Sequence, residues 1–444
     1  MNQIPQAAAA ARTVVVFPLL KAGRAAPREV ASVRSPEARL EEAVSLTQAI
    51  SVEVVFAEVL PVTRPRPATL IGQGAIETLK IRIEAEEITL AVFDCHLTPI
   101  QQRNLEKALN CKVIDRTALI LEIFGERART REGTLQVELA HLSYQRSRLV
   151  RSWTHLERQR GGLGFVGGPG ETQIELDRRL IGERIARLKS ELEEVKRTRH
   201  LHRAARKRVP FPVVALVGYT NAGKSTLFNK LTRADVFAQD MLFATLDPTM
   251  RRVRLPSGRD IILSDTVGFI SDLPTELIAA FRATLEEVLE ADLILHVRDV
   301  SHPDAEAQKA DVTAVLADLG IELHTGEDGL EVANKIDRLD GEAADYWQER
   351  TARKNGVVAV SAARGDGIGE LLGRIDAALS AQHREISVSL AHRDGKLLSW
   401  LYEHGEVTER EDADDEVRLR VRLSPDDLAR WDALVAKNGG RNGD

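Results

Sequence analysis

The stretch Gly218-Tyr-Thr-Asn-Ala-Gly223-Lys224-Ser225 follows the apolar run "VVALV" and leads into "STLFNKL". A buried strand, a glycine loop and a helix form the setting in which this spacing cradles phosphates. Loop N–H groups and the helix N-terminus then face the anion. Gly218, Tyr219, Thr220, Asn221, Ala222, Gly223, Lys224, Ser225 and Thr226 are the candidate contacts. Lys224 is placed to reach the β- and γ-phosphates, and the Ser225 hydroxyl to ligate Mg²⁺. Further on, "IILSDTVG" puts Asp265 at a strand end, where a carboxylate can hold the Mg²⁺ shell. It also puts Gly268 where its N–H can meet the γ-phosphate. "LEVANKID" supplies Asn334, Lys335 and Asp337 after another strand. The Asp337 carboxylate can accept two hydrogen bonds from guanine, whereas adenine would leave that charge unpaired. "VVAVSAA" ends in Ser361-Ala362, placed for a backbone contact to the guanine carbonyl. Order and intervals point to a GTP hydrolase and away from ATP.

In "FATLDPT", a threonine should close over the γ-phosphate and Mg²⁺; Thr245 is the first candidate and Thr249 the second. Phe269 stands where many small GTPases carry a glutamine that orients the attacking water. Slow intrinsic turnover is expected unless another group positions that water. Asn221 offers one route. Its equivalent in some glutamine-lacking GTPases helps hold K⁺ beside the phosphates, where the cation can act as an arginine finger does; a bracing role in the loop is the alternative.

A second glycine-rich stretch, "RQRGGLGFVGGPGET" (158–172), contains the spacing of a dinucleotide fingerprint. That fingerprint needs a strand before it and a helix opening from its last glycine. Here "SWTHLERQR" before it is polar and helical, so a dinucleotide site is rejected. Leu135, Leu139 and Leu142 share one helical face. Ile181, Ile185, Leu188, Leu192 and Val195 recur at spacings suited to a two-helix seam. The glycines therefore cap an antiparallel helical hairpin. Its tip, with Gly164 and Phe165, exposes backbone, and Arg158 and Arg160 at its base are placed to meet phosphates. The bland alternative is a simple turn.

Strands alternate with helices before the hairpin: "TVVVF", "VEVVFAEVL", "ATLIG", "EEITLAVFD" and "CKVID" read as strands, "PEARLEEAVSL" and "TPIQQRNLEKALN" as helices. The expected fold class is α/β. The expected units are an N-terminal α/β domain (1–132), the hairpin (133–209), a GTPase domain with a doubly wound, mostly parallel sheet (210–382), and a small C-terminal α+β module (383–444). The last reads β-α-β-β-α, a ferredoxin-like pattern.

The 444 residues carry a net charge of −6, unevenly spread. Residues 141–210 hold 17 Lys and Arg against 8 Asp and Glu, and residues 385–444 hold 9 against 14. The basic stretch favours nucleic acid as a partner. No apolar run reaches a membrane span and no export signal is seen, so a cytoplasmic place is expected. Peripheral membrane association stays open. Cys95 and Cys111, the only cysteines, read as reduced structural thiols.

The chain closely resembles the HflX family of ribosome-associated GTPases. The likeness rests on "TLIGQGAIETL", "LTPIQQRNLEKALNCKVIDRTALILEIF", "RARTREGTLQVELAHLSY", "GGPGETQIELDRR", "GYTNAGKSTLFN", "FATLDPT" and "DTVGFISDLPTELIAAFRATLEE". It implies the four units above, binding to the large ribosomal subunit and its RNA, a hairpin tip near the peptidyl-transferase region, and splitting or rescue of stalled ribosomes under stress. A monomer is expected. The tip "GLGFVGGPG" lacks a basic residue common in relatives, Arg298 stands in a usually apolar strand position, and "HTGEDG" (324–329) is an insert. A GTP-gated RNA-modifying enzyme and a signalling GTPase that dimerises through the hairpin are the alternatives. Residues 1–132 show no catalytic constellation for the first, and the basic hairpin speaks against the second.

Overall fold

The structure, a computed structural model, describes residues 11–20, 34–159, 169–206, 211–232, 243, 249–271, 288–323, 329–354, 356–381, 384–413, 416–423 and 425–438. Side chains of residues 150–174, 196, 198–206, 406, 425–426 and 437–438 fall outside that description.

The first sheet has the order β2-β1-β3-β4 and is parallel throughout: β1 (Arg12–Leu20), β2 (Glu53–Val62), β3 (Leu90–Phe93) and β4 (Lys112–Asp115). Both faces are covered, as a parallel sheet requires. Val14 and Val16 pack with Ile76, Leu79 and Leu105 of helices α2 (Gln73–Ala85) and α3 (Pro99–Leu109). Val15 packs on the other side with Leu46 and Phe124 of α1 (Pro36–Gln48) and α4 (Arg116–Arg127). Helix starts follow their capping residues: Ser35 accepts from Ala38 N, Thr98 and Gln101 form a capping box, and Asp115 accepts from Ala118 N. "ATLIG" is not a strand. It holds a single bridge, Arg66 to Leu70, because Pro65 and Pro67 remove ladder donors beside it.

Helices α5 (Arg131–Gln159) and α6 (Pro169–Arg206) pack through Leu135, Leu188 and Leu192, with Leu139, Leu142 and Val195 beside them. The hairpin is rooted in the first sheet. Tyr144 Oη donates to Asp115 Oδ1 at 2.7 Å, and the Arg148 guanidinium pairs with Asp115 Oδ2.

The second sheet runs β10-β9-β8-β5-β7-β6, with β5 (Val213–Val217), β6 (Thr249–Arg254), β7 (Asp260–Asp265), β8 (Leu293–Asp299), β9 (Gly329–Asn334) and β10 (Val357–Ala359). Only β6 is antiparallel to its neighbour. Among the described residues this unit also has helices α7 (Lys224–Thr232), α8 (Ala305–Asp318), α9 (Gly341–Arg353) and α10 (Ile368–Ala381). The C-terminal sheet, β11-β13-β12, comprises β11 (Arg384–Ala391), β12 (Glu406–Asp412) and β13 (Glu416–Leu423). β13 lies antiparallel between the other two, the split β-α-β arrangement. Helices α11 (Gly395–His404) and α12 (Pro425–Asn438) cover one face through Leu401 and Trp431. On the open face Arg418, Arg420 and Arg422 pair with Glu416, Glu385 and Glu409, so much of the local acidity is balanced. A ferredoxin-like fold has a fourth strand; the described residues supply three. No helix among the described residues is long and apolar enough to cross a membrane.

β8 carries two polar residues into the core. Arg298, 3% exposed, pairs with Glu331 and Glu306, and Lys309 Nζ reaches Glu331 at 2.7 Å. An arginine is thus tolerated in a buried strand because its charge is answered on both sides. His296 is 6% exposed, and Glu331, its register partner on β9, is already paired with Arg298 and Lys309. Burial, reinforced by the charges of Arg298, Lys309 and Lys224 and opposed by Glu331, holds its imidazolium down to about 4. A depressed folded value means stability is complete above the unfolded value near 6.5 and is lost as pH falls toward 4. The full loss is about 3 kcal/mol. His296→Gln should therefore gain on wild type by about 2 kcal/mol between roughly pH 7.5 and roughly pH 5 in denaturant unfolding. An unchanged gap would show that His296 does not govern acid stability.

Candidate functional site

The phosphate loop leaves the carboxyl end of β5, a central strand, and enters α7. Gly223 has φ +93, and a Cβ there would stand 2.2 Å from Asn334 Nδ2, so both backbone and space demand glycine. The buried Lys224 Nζ donates to the carbonyls of Gly218 (3.1 Å) and Tyr219 (2.8 Å). Burial brings its ammonium down to about 8; Asp265 opposes the shift and Lys335 adds to it. Ser225 Oγ donates to Asp265 Oδ2 at 2.7 Å. A hydroxyl and a carboxylate meeting there are hard oxygen donors, which suit a Mg²⁺ ion completed by phosphate and water oxygens.

The Asp265–Ser271 stretch is stitched to the loop. Phe269 N donates to Gly218 O at 3.1 Å and Phe269 O accepts from Thr220 N at 2.7 Å. A Cβ on Gly268 would stand 2.8 Å from Thr220 Cγ2 and 3.0 Å from Lys224 Nζ. Phe269 is 2% exposed and packs with Tyr219, Val267 and Ile270. It is a core side chain and holds no water in line. Thr249 opens β6 opposite Asp265. Asn221 is exposed, at φ +59. Thr245, Arg160, Gly164 and Phe165 lie outside the described residues; Arg158 belongs to α5, its side chain undescribed. The flanks of the second glycine stretch are helices on both sides, not the strand and helix of a dinucleotide site.

The candidate base-reading residues converge on the same loop. Asn334 Nδ2 donates to Ala222 O at 2.8 Å, and its Oδ1 accepts from Ala362 N at 3.0 Å. Lys335 Nζ pairs with Asp299 Oδ2 at 2.8 Å. Ser361 Oγ donates to Asp337 Oδ1 at 2.7 Å, which holds the Asp337 carboxyl below the usual carboxylate range and keeps it an acceptor. Ser361 N and Ala362 N are committed to Asp366 O and Asn334 Oδ1. A guanine carbonyl contact from Ala362 would have to compete with Asn334.

One cluster escaped sequence reasoning. Tyr219 Oη donates to Glu42 Oε2 at 2.6 Å and accepts from Arg34 and from Ser271 N, both at 2.9 Å. Glu42 Oε1 accepts from Arg116 at 2.6 Å and from Ser271 Oγ at 3.2 Å. Burial pushes Glu42 up, but the Arg116 charge and the bonds from Tyr219 and Arg116 outweigh it and hold the carboxyl below its ordinary range. The first sheet's helices thus grip the phosphate loop directly. Glu42 and Arg116 each look in sequence like an ordinary helix-surface charge, and the partners lie far apart in the chain. Elsewhere, burial pushes the Cys95 thiol up strongly and Cys111 to about 11, which removes thiolate chemistry near neutral pH.

Strand, phosphate loop, hydroxyl–carboxylate pair and Asn-Lys-Ile-Asp loop define a P-loop hydrolase of guanine nucleotides. Residues 213–335 match the family described as 50S ribosome-binding GTPase. Residues 37–125 and 127–206 match the N-terminal and middle regions of GTP-binding GTPases, and residues 347–438 the HflX C-terminal domain. The GTPase HflX of Magnetococcus marinus is 53% identical over 400 residues, 90% of this chain and 91% of that one. That of Escherichia coli is 43% identical over 387 residues, 86% and 89% of the two chains. A solved GTP-binding protein of Sulfolobus solfataricus in complex with GDP is 24% identical, with a TM-score of 0.43 over 83% of this chain and 98% of that one. The chain belongs to the HflX family of GTPases.

Asp337→Asn turns a pure acceptor into a mixed donor and acceptor. GTP affinity should fall about a hundredfold, while xanthosine triphosphate becomes the better ligand. Competition between the two triphosphates in equilibrium binding checks this, and an unchanged preference for GTP would remove Asp337 from base recognition.

Proposed function

We propose that this GTPase is a cytoplasmic, Mg²⁺-dependent monomer that binds the large ribosomal subunit in its GTP state and hydrolyses GTP there. Splitting or rescue of stalled ribosomes under stress is the outcome. The observation that carries this reading is the match of residues 213–335 to the 50S ribosome-binding GTPases within a chain of the HflX family. The basic balance of residues 141–210 supports a ribosomal RNA partner. In this reading the chain divides after residues 132, 209 and 382. Lys224, Gly268 and the loop from Gly218 to Thr226 hold the phosphates. Ser225, Asp265 and Thr245 hold Mg²⁺. Asn334, Lys335, Asp337, Ser361 and Ala362 hold guanine. Arg158, Arg160, Gly164 and Phe165 meet ribosomal RNA by phosphate pairing and base stacking.

Sedimentation with large subunits in GTP, in GDP and in a non-hydrolysable analogue tests it. Binding should follow the triphosphate, and large subunits should stimulate hydrolysis at least about a hundredfold if they complete the site as an activating protein does. Replacing residues 163–168 by two glycines should leave GTP affinity and basal hydrolysis unchanged, and abolish stimulation and splitting. Wild-type ribosome binding and stimulation by the shortened protein would reduce the glycines to a turn.

Turnover also depends on K⁺ held through Asn221 in this reading, since Phe269 positions no water. Hydrolysis should run roughly tenfold faster in KCl than in NaCl at equal ionic strength, and Asn221→Ala should erase the difference. Equal rates for wild type in the two salts would sink the K⁺ role.

A further inference from the structure

Lys335 lies in the guanine loop with an unusual backbone. Its φ is +66, a left-handed conformation that a side-chain-bearing residue keeps only when its surroundings hold it. The side chain runs back across the phosphate loop: its Cε would be 3.9 Å from a Cβ placed on Gly223. Its amine then ends on Asp299 Oδ2 at 2.8 Å, with the two side chains only 13% and 12% exposed.

Asp299 is built to receive it. The residue ends β8 and stands in register with Asn334 of β9. Its other oxygen, Oδ1, accepts from Ser301 N at 3.0 Å and Ser301 Oγ at 2.6 Å. The turn itself is tied down, because Val300 N donates to Asn334 O at 3.1 Å. One carboxylate oxygen is thus fixed by the local chain and the other is aimed at the lysine. Without that anion, the Lys335 ammonium would stand half-buried on a loop that already holds Lys224, a charge of the same sign. A four-carbon side chain released from its partner would also regain rotamer freedom and leave the loop surface.

We propose that Asp299 is a positioning residue for guanine-nucleotide binding, clamping Lys335 across the phosphate loop so that the base subsite and the phosphate subsite keep one fixed spacing. It touches neither base nor phosphate and acts only through Lys335. The inference uses the guanine-nucleotide class of the site and not the ribosomal reading, so its test needs no ribosome.

The test is calorimetric binding of GDP and GTP, with single-turnover and steady-state hydrolysis, for Asp299→Ala, Asp299→Asn, Lys335→Ala and the double variant Asp299→Ala/Lys335→Ala. Asp299→Asn can keep bonds to Ser301 while losing the charge, so it carries the test if Asp299→Ala unfolds by circular dichroism. Both Asp299 variants should weaken GDP and GTP by the same factor, about tenfold, the scale of a well-held ion pair at partial burial. The loss should fall on KM and not on kcat. In the Lys335→Ala background the Asp299 change should add less than about twofold, because the partner it acts through is already gone. Asp299→Glu should recover part of the affinity. Three results would overturn the assignment: wild-type affinities in both Asp299 variants, full additivity in the double variant, or an equal fall in kcat.

Discussion

The structure turns on one phenolic hydroxyl. Tyr219 sits inside the phosphate loop, yet its Oη is surrounded by Glu42, Arg34 and the Ser271 amide. The same buried cluster takes in Arg116, Asp94 and the Ser271 side chain. Charges removed from water are stable only when each is answered, and deleting one member of such a cluster costs about 3–5 kcal/mol because its partners stay buried. The interface between the two sheets is therefore specified by electrostatics as well as by apolar contact, of which the Phe124–Phe243 ring pair is one part. The phosphate loop keeps its shape partly because a neighbouring unit holds its second residue.

The candidate nucleotide site was legible because its elements are contiguous. Loop glycines, Lys224 and Ser225 sit together in the chain, and the strand before them and the helix after them formed as the apolar pattern indicated. Asp265 and Asn334 could be placed because each closes a strand, and Asp337 because it follows β9 by three residues; the parallel strands of one sheet end on one side. What was not legible is what the sheet juxtaposes across units. Glu42, Arg116 and Ser271 meet only after both units fold and dock, and no local period announces it. "ATLIG" misled for a different reason: its residues are strand formers, but the prolines before it decide the matter through missing donors.

β8 shows how far a core strand can depart from apolar composition. Arg298 is answered by Glu331 and Glu306, and Lys309 completes the balance on Glu331. His296, in the same strand, is kept neutral instead, because burial and the nearby cations outweigh the attraction of Glu331. Two solutions to one desolvation problem thus lie two residues apart, on either side of Val297, whose carbonyl lies against Gly218 of the phosphate loop.

The hairpin's root gives the fold a mechanical property. Tyr144 and Arg148 fasten α5 to Asp115, and the next residue in the chain, Arg116, belongs to the Tyr219 cluster. The other helix, α6, ends at Arg206, and β5 begins at Val213, one strand from the phosphate loop. The 38 residues of α6 make a rod about 57 Å long at the helical rise. Both legs of the hairpin are thus wired in series with the nucleotide site, one through a carboxylate and one through the chain itself. The foot of the hairpin at Asp115 therefore stands one residue from Arg116, and Arg116 and Tyr219 share the carboxylate of Glu42.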